Sequence, residues 1–149
     1  MDELARQSQE IRAELFQETA ARMGVTPIIV EKDFWVCWTL KRVFNLDGFP
    51  AGLIFKGGTS LSKAYGAIRR FSEDIDLSLD RHDLGFVDDR DPASADMSKN
   101  KRKALLKELS ETSAKIVQTD LRERIKAAMT ASMPDTDIDL TVSEDDDQT

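Results

Sequence analysis

Two aspartates separated by a single residue carry the most specific chemical signal in the sequence. Asp74 and Asp76 open the segment DIDLSL, in which polar and apolar residues alternate as in a half-buried strand. Side chains two positions apart on a strand point to one face, roughly 6.6 Å apart along it. Two such carboxylates repel unless cations lie between them, and they suit Mg²⁺ or Mn²⁺. The pair therefore fits a metal site, although an isolated D-x-D is more often the solvent face of an amphipathic strand.

A glycine pair precedes the aspartates, where an apolar run at residues 53–55 meets a helical pattern predicted over residues 59–65. Gly57 and Gly58 allow a sharp turn and the close approach of a ligand. The N–H groups and positive dipole end of the following helix are suited to phosphate. Taken alone, the pair is more typical of an ordinary tight turn. The neighbouring side chains that could hold phosphate oxygens are Lys56, Thr59, Ser60 and Lys63.

The two motifs form a coherent site only when they are considered together. Sixteen residues lead from Gly58 to Asp74, enough for a short helix and a return connection. The turn would hold the phosphates of a nucleoside triphosphate (NTP), and the aspartates would hold the metal ions that bridge them. The spacing of GGTSLSK does not match a P-loop. It is similar to the G-[GS]…D-x-D signature of the DNA polymerase β-type nucleotidyltransferases.

Longer segments resemble the AbiEii/AbiGii family of nucleotidyltransferase toxins. They are FKGGTSLSK, then RFSEDIDL, and upstream VEKDFWV at residues 30–36. The resemblance implies that Gly57 and Gly58 bind phosphate and that Asp74 and Asp76 bind metal. It implies a catalytic or nucleotide-supporting role for four further residues: Thr59, Lys63, Arg70 and Ser72.

The resemblance also implies a fold, a reaction and partners. The fold is α+β, with a small mixed nucleotidyltransferase-type sheet packed against several helices. The reaction is Mg²⁺-dependent transfer of a nucleoside monophosphate from an NTP to an acceptor hydroxyl, with RNA such as tRNA as the expected acceptor. The setting is a toxin–antitoxin or abortive phage infection system, with a cognate antitoxin encoded nearby. The alternative is a catalytically incomplete module that binds an NTP or a partner.

A third carboxylate is missing from the central motif. Family members are usually longer, and their later part supplies another carboxylate strand and a lysine-bearing motif, so we expect a truncated or shortened chain. Asp137 and Asp139 alternate with apolar residues in a strand predicted over residues 137–142. They are candidates for the missing ligand, although the exposed edge of a strand is the commoner explanation of such a pattern.

Composition limits the class of protein. The chain has 149 residues, which predicts one domain over 1–149, with a helical part at 1–50 and a nucleotidyltransferase core at 51–149. A single cysteine (Cys37) and a single histidine (His82) exclude a disulfide framework and a Cys/His zinc site. No apolar run approaches the ~18 residues of a membrane span, and the first residues do not resemble a signal peptide. We therefore expect a cytoplasmic protein.

Charge is distributed unevenly along the chain. The net charge is −7, but residues 135–149 hold seven acidic and no basic residues. Residues 99–126 hold nine basic and four acidic residues, so the acidic average does not exclude a nucleic-acid partner. The basic cluster is either a solvated helix face or a contact surface for RNA phosphates. Its members are Lys99, Lys101, Arg102, Lys103 and Lys107.

Periodicity predicts the elements that position these residues. Helices are expected over 2–23, 27–45 and 98–129, strands over 53–55 and 74–79, and a mobile loop over 81–97. The second helix is apolar over much of its circumference, so it should be buried, with Trp35 and Trp38 in the core. Glu31, Lys32 and Asp33 interrupt it, which indicates either structural ion pairs or a position near the active site.

Overall fold

The computed structural model describes residues 1–66, 71 and 74–141, and it combines helices with one small sheet. The helices are α1 (Asp2–Ala5), α2 (Gln9–Met23), α3 (Pro27–Val43), α4 (Gly57–Lys63), α5 (Lys99–Ile116) and α6 (Arg122–Ser132). The strands are β1 (Leu53–Lys56) and β2 (Asp76–Leu79). This architecture confirms the predicted α+β fold.

The second strand is shorter than predicted because its partner, β1, ends at Lys56. β1 and β2 pair antiparallel, with Leu53 opposite Leu79 and Lys56 opposite Asp76. After Lys56 the chain turns directly into α4, so Asp74 and Ile75 have no partner strand. The predicted strand over 74–79 was therefore wrong at its first two residues. Within the described residues the sheet is antiparallel, and the mixed pairing that was predicted is not formed there.

The first predicted helix is in fact two helices. Ser8 ends the continuity because its hydroxyl accepts a hydrogen bond from the Ile11 N–H and so caps α2. The Arg12 guanidinium donates to the carbonyl oxygens of Ala5, the last residue of α1, and of Gln7 in the connection to α2. At the other end of α2, Gly24 adopts the left-handed conformation expected of a helix stop. Apolar periodicity alone could not reveal the break, since both helices share one stripe.

The main apolar core lies where α3 meets α1 and α6. Trp38 is 2% exposed and packs with Ala5, Met129 and Met133. The rings of Trp35 and Trp38 meet edge to face, with centroids 5.6 Å apart. Trp38 is therefore a core residue and Trp35 packs against the core, as predicted, while four of the seventeen residues of α3 are buried.

The second half of the chain departs from the predicted single helix. A π-helical turn (Val117–Leu121) joins α5 to α6, which continues to Ser132. Residues 137–141 form no strand, so that prediction was wrong over its described part. Instead, the Leu140 carbonyl accepts a hydrogen bond from Arg122 Nε at 2.8 Å. The apolar alternation was still informative, because Ile138 and Leu140 pack against the core.

The loop at residues 81–97 is irregular, apart from a 3₁₀ turn at Asp88–Arg90, but it is well anchored. Phe86 is 1% exposed, and the Arg90 guanidinium lies 5.1 Å from the centroid of its ring. Arg90 also forms an ion pair with Glu108 of α5 at 2.7 Å. These contacts oppose the mobility that composition predicted.

Candidate active site

The two sequence motifs meet at Gly57 and Asp76. Gly57 has φ +72°, a backbone conformation that residues with a side chain rarely adopt. A Cβ atom added there would lie 2.7 Å from Asp76 Cγ. Both the backbone angle and the lack of space require glycine at this position. The first residue of α4 therefore lies against the carboxylate that opens β2, which is the arrangement a combined phosphate and metal site needs.

Asp74 and Asp76 lie on the exposed side of their segment. Burial alternates along it, since Asp74 and Asp76 are exposed while Ile75 and Leu77 are partly buried. Ile75 and Leu77 line an apolar cavity of about 270 Å³ together with residues of α3 and α6. The apolar side chains thus anchor the segment on one side and leave both carboxylates on the other, although only Asp76 belongs to the strand.

Thr59 connects α4 to the aspartate segment. Its side chain is 1% exposed, and its hydroxyl donates a hydrogen bond to the main-chain carbonyl of Asp74. Ser60 is also buried, at 5% exposed. Thr59 therefore acts through the backbone of Asp74 in this structure, a support that the sequence did not reveal because the two residues lie fifteen positions apart.

Lys63 lies at the opposite end of α4 and contacts α3. Its ammonium forms an ion pair with the Asp33 carboxylate, and the two side chains are 28% and 38% exposed. The pKa of Lys63 is raised: partial burial acts to lower it, but the Asp33 carboxylate and the Cys37 sulfur outweigh that effect. Lys63 therefore carries its positive charge at neutral pH. The sequence left Asp33 between a structural and an active-site role, and the structure shows that it pairs with Lys63.

Two further predicted site residues, Lys56 and Gly58, lie in β1 and α4. Lys56 is exposed and lies opposite Asp76 in the β1–β2 pairing, while Gly58 is partly buried in α4. Lys32 of α3 lines a second cavity, of about 270 Å³, which also includes Ile75 from the aspartate segment. Arg70 and Ser72 lie outside the described residues, so their predicted roles remain predictions.

The donor set suits a divalent cation that completes its coordination from the substrate. Asp74 and Asp76 offer two exposed carboxylates, and Mg²⁺ commonly binds through one or two carboxylates plus substrate phosphates and waters. Among the described residues, no group of three or more His, Cys, Asp or Glu side chains could hold a metal ion. Asp137 and Asp139 are exposed and alternate with core-facing Ile138 and Leu140.

The basic cluster occupies the free surface of α5. This helix buries only Leu105 and carries exposed Lys99, Lys103 and Lys107 at successive four-residue steps, so the three ammonium groups share one face. Lys107 lies 3.7 Å from Glu111, and Arg102 donates to the Ser94 carbonyl. No helix in the described part of the chain has the length and apolar character that a membrane crossing requires.

Comparison with known proteins identifies a family. The family model described as Nucleotidyl transferase AbiEii toxin, Type IV TA system, matches residues 38–148. That range begins at Trp38 in α3 and includes the glycine pair, α4 and both aspartates, whereas Asp33 precedes it. No curated protein and no solved structure matches the chain.

Proposed function

This chain belongs to the AbiEii family of nucleotidyl transferase toxins of type IV toxin–antitoxin systems, and on that basis we propose that it transfers a nucleoside monophosphate from an NTP to an acceptor hydroxyl. Membership confirms the family that the motifs predicted and implies an antitoxin partner. One observation supports the specific reaction: Gly57, which opens α4, lies against the Asp76 carboxylate. Glycine-bound phosphates and carboxylate-bound cations would thus be neighbours.

The chain's own residues would act mainly by orientation and charge. The N–H groups of Gly57 and Gly58 would donate to phosphate oxygens, and Asp74 and Asp76 would hold Mg²⁺ or Mn²⁺. When bound, that ion would activate the acceptor hydroxyl and stabilise the leaving pyrophosphate. Lys63 would neutralise phosphate charge. The acceptor oxygen forms a bond to the α-phosphorus as the bond to the bridging oxygen breaks, and catalysis is largely positioning and electrostatic stabilisation.

The proposed acceptor is RNA, such as a tRNA. The support is the face of α5 that presents Lys99, Lys103 and Lys107 to solvent, one turn apart. Ammonium groups spaced along a helix can follow a phosphate backbone and release its counterions. Because NTPs and tRNA are abundant in the cytoplasm, we place the reaction there.

A second candidate function is a module that binds an NTP or a partner without turnover. It is favoured by one observation, that the described residues bring no third carboxylate to Asp74 and Asp76. The two functions differ in what the aspartates do. An enzyme needs them for transfer, whereas a partner-binding module should still bind its partner without them.

The first test measures the melting temperature of the chain with each of the four NTPs, with and without Mg²⁺. A ligand that binds the native state must raise the melting temperature by mass action. We expect a rise that requires Mg²⁺ and disappears in Asp74→Ala/Asp76→Ala. The matched control is Asp96→Ala, an exposed aspartate in the loop, which should keep the shift.

The second test incubates the chain with Mg²⁺, a radiolabelled NTP and bulk tRNA, and follows label into RNA. Transfer by the wild-type chain and by Asp96→Ala, but not by the double variant, is the expected result. Nucleotide binding without transfer to RNA or protein would favour the non-catalytic module. The absence of any Mg²⁺-dependent shift or transfer would contradict both nucleotide-based functions for this chain.

A further inference from the structure

Polar side chains at both ends of α4 join this helix to neighbouring segments of the chain. In its first turn, Thr59 donates to the Asp74 carbonyl, and at its last residue Lys63 pairs with Asp33 of α3. A seven-residue helix is roughly 10 Å long, and the two contacts lie near its opposite ends. The hydrogen bond joins α4 to the aspartate segment, and the ion pair joins α4 to α3.

The ion pair with Asp33 leaves the Lys63 side chain partly accessible to a ligand. An ammonium group has three N–H donors, and the carboxylate of Asp33 uses one of them. Cys37, one helical turn after Asp33, is a second neighbour of the ammonium. The Lys63 side chain keeps 28% of its surface exposed, so the paired ammonium group is still accessible from solvent.

We propose that Asp33 is a positioning residue for the nucleotidyl transfer, because it holds the Lys63 ammonium in the orientation that neutralises phosphate charge. The inference rests on the proposed function. A lysine side chain is a point charge on a flexible stem of four carbons, so it orients a phosphate only if another group restrains it. Asp33 supplies that restraint from a helix whose backbone is fixed by the buried residues Val36 and Trp38.

A purely structural role explains the pair less well. Partly exposed ion pairs contribute little to folding, so fastening α4 to α3 in this way would stabilise the chain only weakly. Asp33, together with Glu31 and Lys32, also interrupts the apolar surface that α3 has available for packing. Lys63 shares α4 with Gly57, so a cation restrained by Asp33 is fixed to the same element that begins with the glycine pair.

The two roles predict different kinetics for Asp33→Asn. This variant keeps the shape of the side chain, removes a negative charge from beside Lys63 and leaves the ammonium unrestrained. An unrestrained ammonium still attracts the polyanionic NTP but no longer orients it. We therefore expect kcat to fall about tenfold, while KM for the NTP stays constant or falls. Asp33→Glu, which restores a carboxylate, should recover most of the lost kcat.

The experiment measures kcat, KM and melting temperature for the wild-type chain, Asp33→Asn, Asp33→Glu, Lys63→Met and Asp33→Asn/Lys63→Met. Lys63→Met should raise KM, and adding Asp33→Asn to it should cost little more, because Asp33 acts through Lys63. Glu18→Gln is the matched control, since it breaks an exposed ion pair with Arg22 on α2 and should leave every parameter unchanged.

Three results would overturn the proposal. The first is wild-type kinetics in Asp33→Asn, and the second is additive effects of Asp33→Asn and Lys63→Met. The third is a fall in the melting temperature of Asp33→Asn that accounts for all of the lost activity and that Asp33→Glu does not reverse. Lysine methylation mapped by mass spectrometry gives a readout that does not depend on turnover. Lys63 should be modified faster in Asp33→Asn than in wild type, as measured without nucleotide.

This second readout separates the inference from the proposed function. If the wild-type chain transfers no nucleotide, the proposed function fails, and so does a role for Asp33 in that reaction. Faster methylation of Lys63 in Asp33→Asn would then assign the failure to the reaction and not to the restraint. Unchanged methylation, with an active wild-type chain, would show that Asp33 does not hold Lys63 and would contradict the inference directly.

Discussion

Among the described residues, one ion pair in the core and another at the candidate site each join two α-helices. In the core, Arg42 of α3 is 6% exposed, pairs with Asp2 of α1 and lies over the Trp38 ring, 3.5 Å from its centroid. Its other N–H groups donate to the Trp38 carbonyl and the Ser132 hydroxyl. At the site, Lys63 pairs with Asp33, and the two side chains are 28% and 38% exposed.

The comparison shows that one ion pair joins elements of the core, whereas the other leaves its cation accessible to a ligand. Arg42 is 6% exposed, and its guanidinium donates hydrogen bonds to Asp2, Trp38 and Ser132, so it joins α1, α3 and α6. The ammonium of Lys63 pairs with Asp33, but the Lys63 side chain keeps 28% of its surface exposed to solvent. The core and the site should therefore respond separately to substitution, with stability lost at one and activity at the other.

The largest effect is expected from Asp74→Asn/Asp76→Asn. Both carboxylates are exposed, so their removal should leave the free energy of unfolding unchanged or raise it slightly, because two like charges disappear. Transfer should fall by about 10²–10³-fold or more, since the carboxylates proposed to bind the cation are lost. Turnover assays with denaturant unfolding measure both quantities. Large destabilisation without specific loss of turnover would contradict the separation between core and site.

Arg42→Met tests the core side of the comparison. The substitution removes several hydrogen bonds of a buried cation, so unfolding in denaturant should become easier by about 2–4 kcal/mol. Kinetic parameters measured below the transition should stay close to wild type. The control is Arg22→Met, which breaks an exposed pair with Glu18 and should change stability by less than about 0.5 kcal/mol.

Gly57→Ala should affect both regions at once. The positive φ alone costs an alanine about 1–2 kcal/mol, and the added methyl group also collides with the Asp76 carboxylate. Stability and transfer should both fall. Gly24→Ala isolates the first cost, because Gly24 has φ +69° but no atom within 4 Å of the added Cβ. If Gly24→Ala and Gly57→Ala reduced transfer equally, the contact with Asp76 would have no functional importance.

Neutralising the basic face of α5 should weaken RNA binding without affecting nucleotide binding. For Lys99→Gln/Lys103→Gln/Lys107→Gln we expect the slope of log affinity for tRNA against log salt to become shallower by about two to three. Titration of labelled tRNA at several salt concentrations measures this slope. Lys41→Gln, an exposed lysine on α3, is the control. An unchanged slope would identify the cluster as a solvated helix face.

The smallest effect concerns the acid stability of the loop. The Arg81 guanidinium and the Ala93 N–H donate to Asp91 and lower the pKa of its carboxyl from 3.8 to about 2. Because the folded pKa lies below the unfolded value, this stabilisation is present above about pH 4 and is lost as the pH falls through about 2. Asp91→Asn should flatten the dependence of stability on pH in that window, whereas Asp96→Asn should not.

The sequence allowed much of this chain to be predicted because several signals are local. The apolar circumference of α3 required burial, and Trp38 is in the core. The order of the glycine pair and D-x-D identified the family and the parts of the candidate site, since those residue types are demanded by the chemistry itself. Gly24 follows the predicted end of the first helix, as expected of a helix stop, whereas Ser8 was predicted to lie inside that helix and only the structure showed that it caps α2.

Other features depended on residues distant in the chain. β2 begins at Asp76 because β1 ends at Lys56, which no periodicity within residues 74–79 can express. The Thr59–Asp74 hydrogen bond and the Lys63–Asp33 ion pair each join separate elements. Hydrophobic pattern and motif chemistry, which act over a few residues, were thus determined by the sequence alone. Only tertiary packing decided which carboxylate restrains which cation, because that depends on how α3, α4 and β2 pack together.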